Sequence, residues 1–245
     1  MREYLKNHPF AVEAFFETSL VLTYAVPVQR LASYIPDGLH ADTLHNTWGF
    51  VAIAMVKTKD LRPKGFPRFM GNDFFLTGYR IFVTGRTGGK RLRGLYILRS
   101  ETDSTRMTTM GNIFSHYQYS TTDIQYTKTV DTLTIQSKAS RLNITVDTIA
   151  TETPLPTGSP FADWKEARRF AGPLPFTFTP LAEQHSFLVI EGVRQQWVPK
   201  PVKVLHHEAG YLKTLGLEDA VLANAFSITN VPYYWKRGKK ILCTP

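Results

Sequence analysis

The rhythm of its apolar runs constrains this chain most. Short stretches rich in β-branched and aromatic residues follow one another, and no helix-period segments alternate regularly with them. Thr18–Val26 (TSLVLTYAV) reads as a strand, and Trp48–Lys57 (WGFVAIAMVK) as a longer one whose unbroken apolar character implies burial on both faces. Phe74–Thr84 and Leu92–Ser100 flank the turn Thr87-Gly88-Gly89-Lys90, which is a hairpin pattern. His116–Tyr126, Thr132–Lys138 and Leu142–Ile149 alternate polar and apolar residues as half-exposed strands do. Ser186–Gly192 and Val193–Val198 read as a pair, and Ala225–Val231 and Tyr233–Lys236 as closing strands. Helices are few: one opened by Pro27 and stopped at Pro36-Asp37-Gly38, then Ser104–Phe114, Phe161–Phe170 and one near Leu217–Leu222. A doubly wound fold is excluded by this order. The expected class is mainly β (α+β): a strongly curved antiparallel sheet or barrel, closed so that no edge is left bare, with a few peripheral helices.

A chain of 245 residues with 43% hydrophobic and 20% charged residues can build its core without staples, so residues 1–245 are read as one domain. The lone Cys243 allows no internal disulfide and no cysteine-based zinc cluster. No apolar segment at the start resembles a signal sequence, and no run approaches about 18 apolar residues, so a cytoplasmic protein without membrane attachment is expected.

The net charge of +9 is concentrated. Between Lys57 and Arg106 stand 12 Lys/Arg against four acids. This excess steers anions toward the chain without naming them: a carboxylate metabolite, a phosphate or a nucleic acid all fit. Phe66, Phe69, Phe74, Phe75 and Tyr79 lie among these charges, as in single-strand binders, yet aromatics alternating along strands fill cores. No helix-turn-helix, RNA-recognition or zinc-finger pattern accompanies them. Gly85–Arg91 fails as a phosphate loop on spacing and on Arg91 where Ser or Thr is needed. Adjacent His206 and His207 on a strand would point to opposite faces, so no metal is assigned. No Gly-x-Ser-x-Gly nucleophile elbow occurs.

What remains is charge inside apolar strands. Arg80 interrupts Phe74–Val83, and Arg99 and Glu101 end Leu95–Leu98. With the hairpin turn at Gly88-Gly89, a regular register sets Arg80 beside Ile97 and Arg99 near Gly78, which places both arginines on one face. Two guanidiniums on one face can clamp a carboxylate. In the alternative they are neutralised by Glu101, Asp103 or Glu191, or they point to water.

Leu22–Pro27 with Ile35-Pro36-Asp37-Gly38-Leu39, then Trp48–Val51, Leu61–Gly65, Tyr79–Val83, Gly94–Leu98, Gly192-Val193-Arg194 through Trp197, and Ala225–Ser227 through Trp235 resemble, in that order, the YqjF-like family of uncharacterised conserved proteins. That family resembles the acetoacetate decarboxylase superfamily. The resemblance implies a curved β-cone around a central cavity. In the decarboxylase a lysine forms a Schiff base with a β-keto acid, its pKa lowered by a neighbouring ammonium. Here the stretch after the Arg/Glu strand reads Ser100-Glu101-Thr102-Asp103-Ser104-Thr105-Arg106-Met107, and no lysine lies between Arg91 and Lys128.

The expectation is therefore a cavity that binds or transforms a small anionic, carboxylate- or keto-acid-like molecule without an imine, any chemistry being acid–base catalysis of the lyase or hydrolase kind. Arg80, Arg99, Asp103, Arg106 and Tyr117 are the expected binding residues, and Glu101 or His116 the expected general acid or base. No cofactor or metal is called for, and a homo-oligomer is compatible with the chain. The second reading is a nucleic-acid or anionic-surface binder that uses segment 57–106.

Overall fold

The computed structural model describes residues 2–150, 152–171 and 174–243. Its strands in chain order are β1 Val12–Pro27, β2 Leu39–Ala41, β3 Trp48–Pro63, β4 Asn72–Thr87, β5 Lys90–Thr102, β6 Tyr119–Thr121, β7 Gln125–Lys128, β8 Thr132–Ser137, β9 Leu142–Asp147, β10 Phe176–Pro180, β11 Ser186–Arg194, β12 Lys200–Pro201, β13 Lys203–Ala209, β14 Val221–Trp235 and β15 Lys239–Leu242. The helices are α1 Arg2–Lys6, α2 Thr105–Phe114, α3 Trp164–Ala171 and α4 Gly210–Thr214, with a 3-10 helix at Val28–Tyr34 after Pro27.

Strand order explains the shape. β14, β1, β3, β4, β5, β10 and β11 are neighbours in turn, and β11 pairs again with β14 through Gly192↔Trp235 and Arg194↔Tyr233. The sheet therefore returns on itself as a barrel, which removes the edges of its longest strands. A second, antiparallel sheet, β13-β9-β8-β7, covers part of the outside.

Side-chain period two then sorts the residues of β3 into two cores. Val51, Ile53 and Met55 face outward with Leu20, Leu22 and Tyr24 of β1, against Ile135, Ile144 and Val146 of the second sheet. Phe50, Ala52, Ala54 and Val56 face inward with Phe16 and Val21, and Phe161 and Phe170 pack at one end beneath Phe50. Large residues outside and alanines inside leave a hollow barrel with a well-filled outer layer.

Several expectations are corrected. The sheet is mixed: β10 and β6 both run parallel to β5, because the crossover from β5 to β10 carries α2, three strands of the second sheet and α3. Strands run longer than propensity suggests, since pairing on both sides carries β1, β3, β4 and β14 through polar ends. His116–Tyr126 is not one strand; β6 joins the barrel and β7 the second sheet. Ser186–Arg194 is a single strand, held between β10, β14 and β15, and no hairpin occurs there. The helix expected near Leu217–Leu222 lies earlier, at Gly210–Thr214, and β13, unanticipated, precedes it. Among the described residues no helix is long and apolar enough to cross a membrane.

Candidate functional site

A cavity of about 320 Å³ occupies the barrel. Strand period two sets its walls: Ser19 and Val21 from β1, Ala52, Ala54 and Val56 from β3, Leu76 and Arg80 from β4, Leu95 and Ile97 from β5. Helix α2, started by the Ser104 hydroxyl accepting from Met107 N at 3.2 Å, supplies Arg106, Met107, Met110 and Phe114.

One part of the wall is polar. Arg80 faces the cavity, and its Nε is buried without a hydrogen-bond partner. The Nε–Nη edge of the guanidinium is turned to Gly78, where a Cβ would stand 3.1 Å from both Nε and an Nη. Arg194 reaches in from β11, stacks over Trp197 at 4.8 Å and donates to Tyr233 Oη at 3.3 Å. Tyr117 and Tyr119 complete the group, with ring centroids 6.3 Å apart. Burial depresses both guanidinium pKa values, and the charge of Arg80 lowers that of Arg194 further. Nearby phenols partly offset this for Arg80. Burial pushes Tyr119 up to about 12 and raises Tyr117 and Tyr233 as well, so all three stay neutral hydrogen-bond donors. No carboxylate pairs with Arg80 or Arg194 among the described residues. Two cations and three phenols thus gather in one part of the wall, with no carboxylate of the described residues paired to either cation.

Arg80, Arg106 and Tyr117 line the cavity; the other expected site residues do not. Between Tyr79 and Arg80 the β4–β5 register shifts, so that Arg80 opposes Ile97 while Tyr79 opposes Arg99 and Leu98 has no opposite residue. This bulge turns Arg99 to the outer face and Ser100 to the inner one. Outside the barrel Arg99 holds the fully buried Glu101 at 2.8 Å and covers the Tyr211 ring at 5.2 Å, and Tyr79 Oη lies 3.5 Å from the same carboxylate. Glu101 is thus paired on the outer side of the barrel wall and is not among the residues that line the cavity. Asp103 fastens β5 to β4 by accepting from Phe75 N at 2.8 Å. His116 lies against Asn7 Oδ1 at 3.3 Å and does not line the cavity. Arg194, Tyr119, Tyr233, Trp197 and His8 escaped sequence reasoning. Arg194 carried the signal that marked Arg80, a charge within an apolar strand.

Two outcomes test this geometry. Gly192 leaves the space that the Tyr233 hydroxyl occupies, and a Cβ there would overlap it. Gly192→Ala should displace Tyr233 from Arg194 and cost about 1–3 kcal/mol of stability, measurable by urea denaturation. Burial also lowers the pKa of His8, a cavity-lining residue whose Nε2 has no partner, from 6.5 to about 4. The unfolded state then binds the extra proton between those values, so stability falls as pH drops from about 6.5 towards 4, by about 3 kcal/mol at most. His8→Asn should flatten that part of the stability–pH curve.

Five cations of the basic segment are paired with acids. Lys57 meets Glu17, Lys59 meets Asp73, Arg62 meets Glu13, and Arg91 and Arg93 share the buried Asp42. No group of three His, Cys, Asp or Glu able to hold a metal occurs among the described residues.

The sequence profile of the DUF2071 family, described as an uncharacterized conserved protein (COG2071), matches residues 14–237. Curated proteins give no match. Among solved structures, acetoacetate decarboxylase from Legionella pneumophila superposes with a TM-score of 0.61 at 13% identity, covering 96% of this chain and 88% of that one. An acetoacetate decarboxylase-like enzyme from Sphingomonas wittichii gives 0.55 at 10% identity, covering 98% and 94%. The enduracididine biosynthesis enzyme MppR, complexed with pyruvate, gives 0.51 at 9% identity, covering 95% and 88%. At these identities the likeness is one of fold.

Proposed function

This chain belongs to the DUF2071 family and has an acetoacetate decarboxylase-like fold, and on that premise we propose that its cavity binds or transforms a small carboxylate of the keto-acid kind without an imine-forming lysine. The observation that carries the reading is the pair Arg80 and Arg194, both facing the cavity and neither matched by a carboxylate among the described residues. Two guanidiniums take the two oxygens of a carboxylate with charge-assisted hydrogen bonds, and neutral tyrosines donate to what remains. Two of the fold neighbours bear on such molecules, one by its name and one by the pyruvate bound to it. No lysine is among the residues lining the cavity, which supports chemistry, if any, by charge stabilisation rather than through a Schiff base. The pairing of Lys57, Lys59, Arg62, Arg91 and Arg93 with acids weighs against a nucleic-acid surface.

Thermal denaturation with a panel of monocarboxylates, 2-oxo acids and their neutral amides tests the reading. A bound acid at about 100 times its Kd should stabilise the fold by roughly 2.7 kcal/mol. The corresponding amide should give no shift, and Arg194→Gln should abolish the acid's effect. Equal shifts from acids and amides, or none from any acid, would overturn the proposal.

A further inference from the structure

Resting on the carboxylate reading, we infer that the ligand is a monocarboxylate with a substantial apolar tail, of the medium-chain or arylalkyl kind. The first reason is size. A cavity of about 320 Å³ corresponds to roughly ten water-sized groups, more than a short keto acid fills. The second is the distribution of polarity. Arg80, Arg194 and their tyrosines form one polar part of the lining, Arg106 is exposed on α2 and Arg62 is paired with Glu13, while β1 and β3 present Val21, Ala52, Ala54 and Val56 with Ser19 among them. A second anionic or hydroxyl group on the ligand would meet that wall unpaired and lose its hydration. A methylene chain or phenyl ring would not.

The third is the opening. Met70 and Met110 line the cavity and are also 44% and 45% exposed, which places them at its mouth. Phe69 beside them is 87% exposed. Flexible thioethers and an exposed ring suit the passage of an apolar body. The alanines decide the matter chemically. Ala52 and Ala54 are almost fully buried, and on β3 they alternate with Ile53 and Met55, so their small size is confined to the face that lines the hollow.

The test is a homologous series, butyrate, hexanoate and octanoate, with 4-phenylbutyrate beside it, titrated calorimetrically into the full chain. Each added methylene should tighten binding about fourfold, with an increasingly negative heat-capacity change. Ala54→Leu fills the tail space: it should leave butyrate affinity intact and remove the gain from hexanoate to octanoate. Ala52→Val is the milder variant should Ala54→Leu fail to fold. A flat series in which butyrate still binds and responds to Arg194→Gln would overturn the tail and spare the carboxylate site. Failure of every acid to bind would overturn both. A steep series unchanged in the folded alanine variants would overturn the placement of the tail against β3.

Discussion

Arg80→Met is expected to raise the melting temperature of the unliganded protein while abolishing carboxylate binding. The guanidinium sits in the barrel wall, its uncovered area is cavity surface, and its Nε has no partner. A charge held in this way costs solvation that the nearby phenols offset only in part. Methionine keeps the unbranched chain out to the position of Nε and removes the charge. Replacing buried ionic groups by apolar ones of similar volume often stabilises by about 1–4 kcal/mol. In a chain of this size each kcal/mol moves Tm by roughly 2–4 °C. Binding should fall in the other direction. Losing one partner of a desolvated charge pair costs about 2–5 kcal/mol, or at least roughly 30-fold in Kd. Differential scanning calorimetry and titration on the same sample read both. An arginine that merely held the barrel together would give the reverse, a lower Tm with ligand affinity unchanged.

Arg99→Leu should do the opposite. Glu101 is fully buried outside the barrel, and its ionic partner is Arg99 at 2.8 Å. Without the guanidinium a carboxylate stays in the apolar layer between the barrel and Tyr211, with only the distant Tyr79 hydroxyl beside it. Breaking a pair from one side in this way costs about 3–5 kcal/mol. Tm should therefore drop by roughly 6–20 °C, with carboxylate affinity in the folded protein unaltered, because Arg99 does not line the cavity. Arg99→Leu combined with Glu101→Leu should recover much of the loss, since no ion is then stranded. If Arg99→Leu weakened ligand binding while leaving Tm unchanged, its assignment to the outer face would fail.

The two arginines show how far the sequence could be read. Arg80 interrupts an apolar strand and Arg99 ends one, and both were expected on one face from regular antiparallel pairing across the Gly88-Gly89 turn. The turn is where it was expected, with both glycines at positive φ, and Arg80 does oppose Ile97. Regular pairing fails at Leu98, whose insertion reverses the facing of every residue beyond it on β5. No local preference marks Leu98 as a bulge. It follows from how β5 must bend to pair with β4 on one side and with β10 and β6 on the other.

Glu101 misled for a related reason. A carboxylate at the end of an apolar strand announces a paired or functional group, but its surroundings are set by Tyr211, which the chain reaches only after the second sheet. Arg194 was missed because its strand was expected to turn back near Gly192. The pairing of Arg194 with Tyr233 that closes the barrel is also what turns it towards Arg80.

By itself the sequence determined the β architecture and the hairpin, because these depend on side-chain period two and on turn chemistry, whereas the hollow was expected only through the family resemblance. Phe50 to Val56 already encode an inner and an outer face. The tertiary structure alone decided which charges enter the hollow. That depends on bulges and on barrel closure, where strands far apart in the chain fix each other's register, and a shift of one residue exchanges inside for outside.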